Sequence, residues 1–340
     1  MFTNIIDAIE EKNHKKIIGS NFFKRWEFLL FVLLIVVLAL DLGLSPQLFK
    51  ISNLFDSTIA FMEKSIIALP VGLIIITGYI DISVASIAGL SGVILGCAWK
   101  MGVPLWLSII IGFTAGTIAG LINGLIVTKI KIASVVATLG TMILYRGICY
   151  ILLGDNAIRN LPKNFGYFGG AYKLFLVPNS LIIFFILAII FGVLLHFTTF
   201  GRSIYAMGNN DKAARYSGIP VDRIRIILYT ITGFISALSG ILLTSRINSA
   251  RPDIAEGSEL AIVTIVLLGG VYIFGGRGST LGVFLASFII GFIQYTLRLI
   301  NVQDVEISIV TGTLLILALL IPRFTEINTN YRKRKLFLGK

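Results

Sequence analysis

The sequence predicts an all-α polytopic membrane protein with about 10 transmembrane helices and both termini in the cytoplasm. Three observations carry that expectation. Apolar residues make up 56% of the 340-residue chain and charged residues only 14%, with a mean hydropathy of +0.92, a balance foreign to soluble globules. Apolar runs near the ~20 residues that a ~30 Å hydrocarbon core requires recur along the chain. The basic residues divide unevenly between the connections, which sets an orientation.

Residues 1–25 carry Phe2, Ile5, Ile6 and Ile9 on one helical face, followed by Lys12, Lys15, Lys16, Lys24 and Arg25. That pattern predicts an amphipathic, basic cytoplasmic segment at the interface, leading to a first apolar run that lacks an A-x-A cleavage site and reads as a retained anchor. Spans are expected at 26–45, 58–79, 82–99, 104–126, 133–153, 178–197, 223–244, 258–274, 279–298 and 305–322. Together they form one transmembrane domain, 26–322, followed by a basic cytoplasmic tail at 323–340. The breaks near 81 and 277 are tight enough to hide half-helices. With the N-terminus inside, the inner connections hold nineteen Lys and Arg against eight in the outer ones. The net charge of +12 therefore reflects the positive-inside bias and calls for no nucleic acid. Trp99 and Trp106 flank an outer turn as interfacial anchors. Two longer outer segments, Gly154–Val177 and Ser245–Gly257, read either as solvated loops or as a landing surface for a soluble protein.

Between two of these spans lies a polar stretch, Thr199–Arg225. Asn210 or Asp211 is the expected N-cap of a short helix, Lys212–Ser217 its body and Gly218 its terminator, with Pro220 just beyond. Two helical turns do not hold themselves in water, because nucleation is too costly at that length. The element is therefore expected to press on a partner, presenting Lys212, Arg215 and Tyr216.

In the fourth expected span, Gly112, Gly116, Gly120 and Gly124 form one stripe, where missing Cβ atoms admit another helix closely. That helix belongs either to the same subunit or to a second one. Asp81, in GYIDISVAS, falls between two apolar runs near the inner membrane edge. It is expected to cap the following helix, with Ser83 as the alternative cap, and the turn is a gate candidate; deep in the membrane it would need a partner or a water-filled cavity. FGGRGSTLG at 274–282 looks at first like a phosphate loop, yet GxxxxGK[ST] occurs nowhere and no strands alternate with helices around it. Gly275, Gly276 and Gly278 read instead as a tight cytoplasmic turn. Glu63 and Lys64 read as snorkelling at an outer span end, Asp41 as reaching water, and Arg146 as snorkelling outward or facing a water-filled path. Cys97 and Cys149 form no CxxC pair and read as packing residues. No catalytic residue, metal site or cofactor is expected on this chain.

Four stretches then stand in order: GYIDISVAS at 78–86, GLINGLIVTKIKIASVVATLGT at 120–141, GRSIYAMGNNDKAARYSGI at 201–219 and ELAIVTIVLLGGVYIFGGRGSTLG at 259–282. Through them the chain resembles, from about residue 60 to 322, the permease subunits of bacterial ABC importers for sugars, in the ribose, rhamnose and autoinducer-2 group. The resemblance implies a membrane dimer of identical or different permeases in the plasma membrane, carrying two cytoplasmic ATPase subunits that hold ATP and Mg. An extracytoplasmic sugar-binding protein feeds it from outside. It also implies that Gly208–Ile219 docks on the ATPase, with Gly208, Asn210, Asp211, Lys212, Arg215, Tyr216 and Gly218 as coupling residues. The chain departs from the commonest motif forms at Ala85 and Asn209, where Gly is usual. IALP at 67–70, the LLGGVYIFGGRGS region and LYRG at 144–147 lean toward the autoinducer-2 and rhamnose branches. Two rivals remain: a branched-chain amino acid permease, and an ion-coupled secondary transporter, for which Asp41 and Asp81 are the candidate carboxylates.

Overall fold

Length and apolarity decide which segments become membrane-crossing helices, and the segments that fall short decide where the turns sit. A computed structural model describes residues 26–44, 50–171, 173–174 and 177–320; the expectations for 1–25 and 323–340 lie outside the described residues. The principal helices are α1 (Trp26–Leu44), α2 (Ile51–Thr58), α3 (Met62–Ile76), α4 (Val84–Lys100), α5 (Leu105–Leu125) and α6 (Ser134–Leu153). They continue with α7 (Asn179–Phe197), α8 (Thr199–Asn209), α9 (Asp211–Tyr216), α10 (Val221–Ile247), α11 (Ser258–Leu268) and α12 (Thr280–Leu299), and end with α13 at 304–320. Each expected apolar run overlaps a helix among the described residues. Among the described residues, α1, α5 with its π turn through Ile130, α6, α7, α10 and α12 are long and apolar enough to cross a membrane. The pair α2 and α3, bent by 55°, passes the same test together.

Helices α3, α4 and α11 have 15, 17 and 11 residues. At helical rise they extend only about 22, 26 and 17 Å, short of the ~30 Å core. Parts of the turns that join them to their neighbours consequently sit inside the bundle: Asp81 and Ser83 before α4 and Thr280 after α11 are buried. The run expected as a span at 258–274 leaves the helix at Leu268, because Gly270 takes φ +83° and the Trp26 ring occupies the place of its missing Cβ. The Trp26 indole Nε1–H donates to the Leu268 carbonyl at 2.9 Å.

Helix α10 is the centre of the bundle, packed on α5, α4 and α3. Its approach to α5 is glycine-made. A Cβ on Gly112 would lie 2.8 Å from the Ser91 carbonyl, one on Gly116 would strike Ala237, one on Gly120 would lie 2.7 Å from Gly233 Cα, and one on Gly124 would meet Ile226. The glycine stripe is therefore filled by α4 and α10 of the same subunit, which decides between its two readings. Phenylalanines seal the opposite side, with Phe184 stacked on Phe284 (5.4 Å) and Phe61 edge-on to Phe292 (5.5 Å).

At the end expected to face outward, β1 (Ile158–Arg159), β2 (Lys173–Leu174), β3 (Val177–Pro178) and β4 (Ser249–Ala250) form two short antiparallel ribbons, β1 with β4 and β2 with β3. The first ribbon ties the two long outer segments together. Arg146 reaches out to them, its Nη1 donating to the carbonyls of Pro252 (2.6 Å) and Ile254 (2.8 Å). Two expectations are corrected here. Glu63 does not snorkel; it is buried and accepts from Arg246 Nε at 2.6 Å, because α10 outlasts α3 and brings that guanidinium back over it. Asp41 does not reach water but is buried, since α1 packs along α12.

Candidate functional site

The polar stretch 199–225 folds into two consecutive helices. Thr198 opens the first, α8, by accepting from the Gly201 amide at 3.2 Å, and Ile204 and Met207 are its buried face. Sequence reasoning missed α8, although the cap at Thr198 and apolar residues at helical spacing were there to find it. At Asn210 the backbone turns extended, φ −160°, and the side chain caps α9 by accepting from Ala213 N at 3.0 Å. Helix α9 stops at Tyr216, and Gly218 follows at φ +84°. The expected cap and terminator are thus where the spacing placed them.

Helix α9 turns Ala214 inward, while Lys212 is exposed and Tyr216 is 92% exposed. Arg215 is exposed as well. Its guanidinium is engaged within the chain, with Asp211 at 3.5 Å and with Asp222 in the first turn of α10, because α10 starts only a few residues beyond. Asp211 also accepts from Arg225 Nη2 at 2.8 Å.

The C-terminal end of α8 meets the turns at 76–78 and 275–278. Gly208 lies against the Ile76 carbonyl and the Gly276 amide so closely that a Cβ would collide with backbone on both sides. Gly276 N–H itself donates to the Ile76 carbonyl at 2.8 Å. Gly275, at φ +87°, faces Gly78 N at 2.8 Å from its absent Cβ, and Tyr205 of α8 donates its hydroxyl to the Gly278 carbonyl at 2.7 Å. Residues 76–78, 208 and 275–278, far apart in the chain, make one glycine joint, and positive φ at Gly275 and Gly276 makes the close approach affordable only to glycine.

Beyond this joint, Asp81 is fully buried within the protein. Its Oδ1 accepts from Ser83 N (2.9 Å) and Ser83 Oγ (2.6 Å), so it starts a local turn before α4. Ser83 occupies the N-cap position without bonding a helix amide; its Oγ accepts from Asn123 Nδ2 at 2.7 Å. Tyr145 donates to the Ala119 carbonyl at 2.9 Å and lies 3.2 Å from Asn123 Oδ1. The backbone amides of Ile80 and Ile82 donate to Ser134 Oγ and Thr138 Oγ1 of α6, each at 3.2 Å. These partners were invisible in sequence, where Asn123, Ser134, Thr138 and Tyr145 are single polar residues inside apolar runs.

At the opposite end, Tyr150, Asn156, Arg159 and Arg251 line a cavity of about 500 Å³. The Arg251 guanidinium, hydrogen-bonded to Asp253, holds that carboxyl below the usual carboxylate range.

The chain compares with known proteins as follows. A family model described as "Branched-chain amino acid transport system / permease component" matches residues 53–319. The chain is 37% identical over 306 residues to the autoinducer 2 import system permease protein LsrD of Yersinia enterocolitica, covering 87% of this chain and 92% of that protein. It is 38% identical over 296 residues to the ribose import permease protein RbsC of Bacillus subtilis, covering 86% and 90%, and 35% identical over 297 residues to LsrD of Escherichia coli K12, covering 86% and 90%. With its polytopic helical bundle and a match across most of that bundle, the chain belongs to this family of transport-system permease components.

Proposed function

We propose that the chain is the membrane-spanning subunit of a binding-protein-dependent ABC importer for a monosaccharide or sugar-like solute of the autoinducer-2, rhamnose or ribose type. A sugar-binding protein delivers the solute outside, a second permease subunit completes the path, and cytoplasmic ATPase subunits hold the ATP and Mg. The names of the relatives support this solute class over branched-chain amino acids. The observation that carries the coupling reading is the glycine joint at Gly208. Helix α9 offers Lys212 and Tyr216 to the ATPase, and α8 ends wedged between the turns at 76–78 and 275–278. When ATP binding closes the ATPase pair, a push on α9 is delivered to both turns at once. Helix α3, which ends at the first turn, and α12, which starts after the second, then shift relative to the rest, in the manner of rocking transporters.

The test is a reconstituted complex of this chain with its ATPase and with binding proteins loaded with ribose, rhamnose or autoinducer-2. One loaded protein is expected to stimulate ATP hydrolysis and uptake. Gly208→Ala is expected to reduce that stimulation about tenfold or more, since the added carbon meets rigid backbone on both sides. Failure of any ATPase to co-purify from native membranes overturns the reading. Uptake abolished by a protonophore in ATP-replete vesicles would point instead to an ion-coupled transporter.

A further inference from the structure

Arg225 ends the polar stretch expected on the inside, yet its side chain is only 5% exposed. A buried guanidinium is costly unless it is paired and its donors are met. Here its Nη1 lies 4.0 Å from Asp222 Oδ1 on the same helix, and it faces two groups from other parts of the chain. Nη2 donates to Asp211 Oδ1 at 2.8 Å, and the guanidinium carbon lies 4.0 Å from the centroid of the Tyr79 ring. Asp211 is the first residue of α9. Tyr79 sits between Gly78 of the glycine joint and Ile80, whose amide is held by Ser134 and whose carbonyl accepts from the Tyr229 hydroxyl at 3.4 Å.

Well-packed apolar residues in place of the whole ion pair would often hold the bundle as well or better. What only a planar cation does is join a carboxylate along its edge and an aromatic ring across its face. We propose that Asp211, Arg225 and Tyr79 form a latch, in which Arg225 and Tyr79 are positioning residues that carry displacement of the docking helix α9 into the buried turn at 77–83. The latch rests on the reading that α9 docks an ATPase. It works in parallel with the Gly208 joint: the joint moves the backbone of residues 76–78 through α8, whereas the latch holds the following residues to α9 through side chains. Asp211 is also shared with Arg215, and Arg215 with Asp222, so the carboxylate is fixed on the α9 side while Arg225 is fixed on α10. Movement of α9 against α10 therefore strains the Arg225–Asp211 and Arg215–Asp222 contacts together, and only the former leads on to Tyr79.

The experiment reads coupling instead of stability. In the reconstituted complex, ATP hydrolysed per solute imported is measured for wild type, Tyr79→Leu, Tyr79→Phe, Arg225→Lys and the Tyr79→Leu, Arg225→Lys double variant. Tyr79→Leu and Arg225→Lys are expected to keep bound ATPase and continuing hydrolysis while the ATP spent per solute rises about fivefold or more. Tyr79→Phe, which retains the ring, restores the wild-type ratio, and the double variant is no worse than the worse single one, as for two ends of one contact. An unchanged ratio in Tyr79→Leu and Arg225→Lys overturns the latch. So does a parallel loss of hydrolysis and uptake at constant ratio, which marks a merely structural role. A wild-type chain that recruits no ATPase overturns the docking reading itself, and the latch with it.

Discussion

At the scale of single residues, the chain uses glycine in two unlike ways. Gly120 has no room: a Cβ there would press on the Tyr229 carbonyl and lie 2.7 Å from Gly233 Cα. Gly140 on α6 has nothing within 4 Å of the same position. Gly120→Ala should therefore force α5 and α10 apart, an overpacking cost of about 1–3 kcal/mol, and lower the unfolding midpoint in detergent by several degrees, on the order of 2–4 °C per kcal/mol. Gly140→Ala should leave that midpoint unchanged or slightly raised, because alanine in a helix interior restrains the unfolded chain. Thermal unfolding followed by fluorescence separates the two, and equal midpoints would contradict the packing described for the stripe. The stripe itself was legible from its spacing. Which helix fills it was not, because a stripe of missing Cβ atoms specifies closeness without naming the neighbour.

At the scale of the element, α9 is six residues long and depends on its cap and its partner. Asn210→Ala removes the hydrogen bond to Ala213 N, worth about 1 kcal/mol at a helix N-terminus, and should weaken ATPase docking about fivefold. Tyr216, almost fully exposed, should act at the surface only. Tyr216→Ala is expected to weaken binding of the purified ATPase to proteoliposomes while thermal unfolding stays at the wild-type midpoint; normal binding by this variant would remove Tyr216 from the docking surface. Helix α9 could be read from sequence because cap, length and terminator are local. Helix α8 was passed over because its apolar face, Ile204 and Met207, is brief and set among polar residues. The early end of α11 was hidden too, since apolar residues continue through Val271 and Ile273 and only the packing of Trp26 on Gly270 shows why the helix stops.

At the scale of the whole molecule, orientation is the property on which the docking reading depends. In a Cys97→Ser, Cys149→Ala background, Ser217→Cys should react with a membrane-impermeant thiol reagent only in inside-out vesicles. Glu256→Cys, exposed on the far loop, should react only in right-side-out ones. The reverse pattern would place α9 outside, out of reach of any cytoplasmic ATPase. The expected pattern follows from nineteen inner against eight outer basic residues and from the position of Arg146, which sends its guanidinium to the 252–254 loop.

The membrane class, the positions of the apolar helices, the expected orientation and the short capped helix α9 were legible in the sequence itself. Hydropathy, charge bias, caps and glycine stops act within a few residues, so their meaning survives without coordinates. Tertiary structure alone decided that residues 76–78, 208 and 275–278 form one joint, that Glu63 pairs with Arg246, that Asp81 is buried and that Arg225 lies between Asp211 and Tyr79. Each of those facts depends on segments that are distant in the chain and become neighbours only when helices too short for the membrane fold their turns back into the bundle.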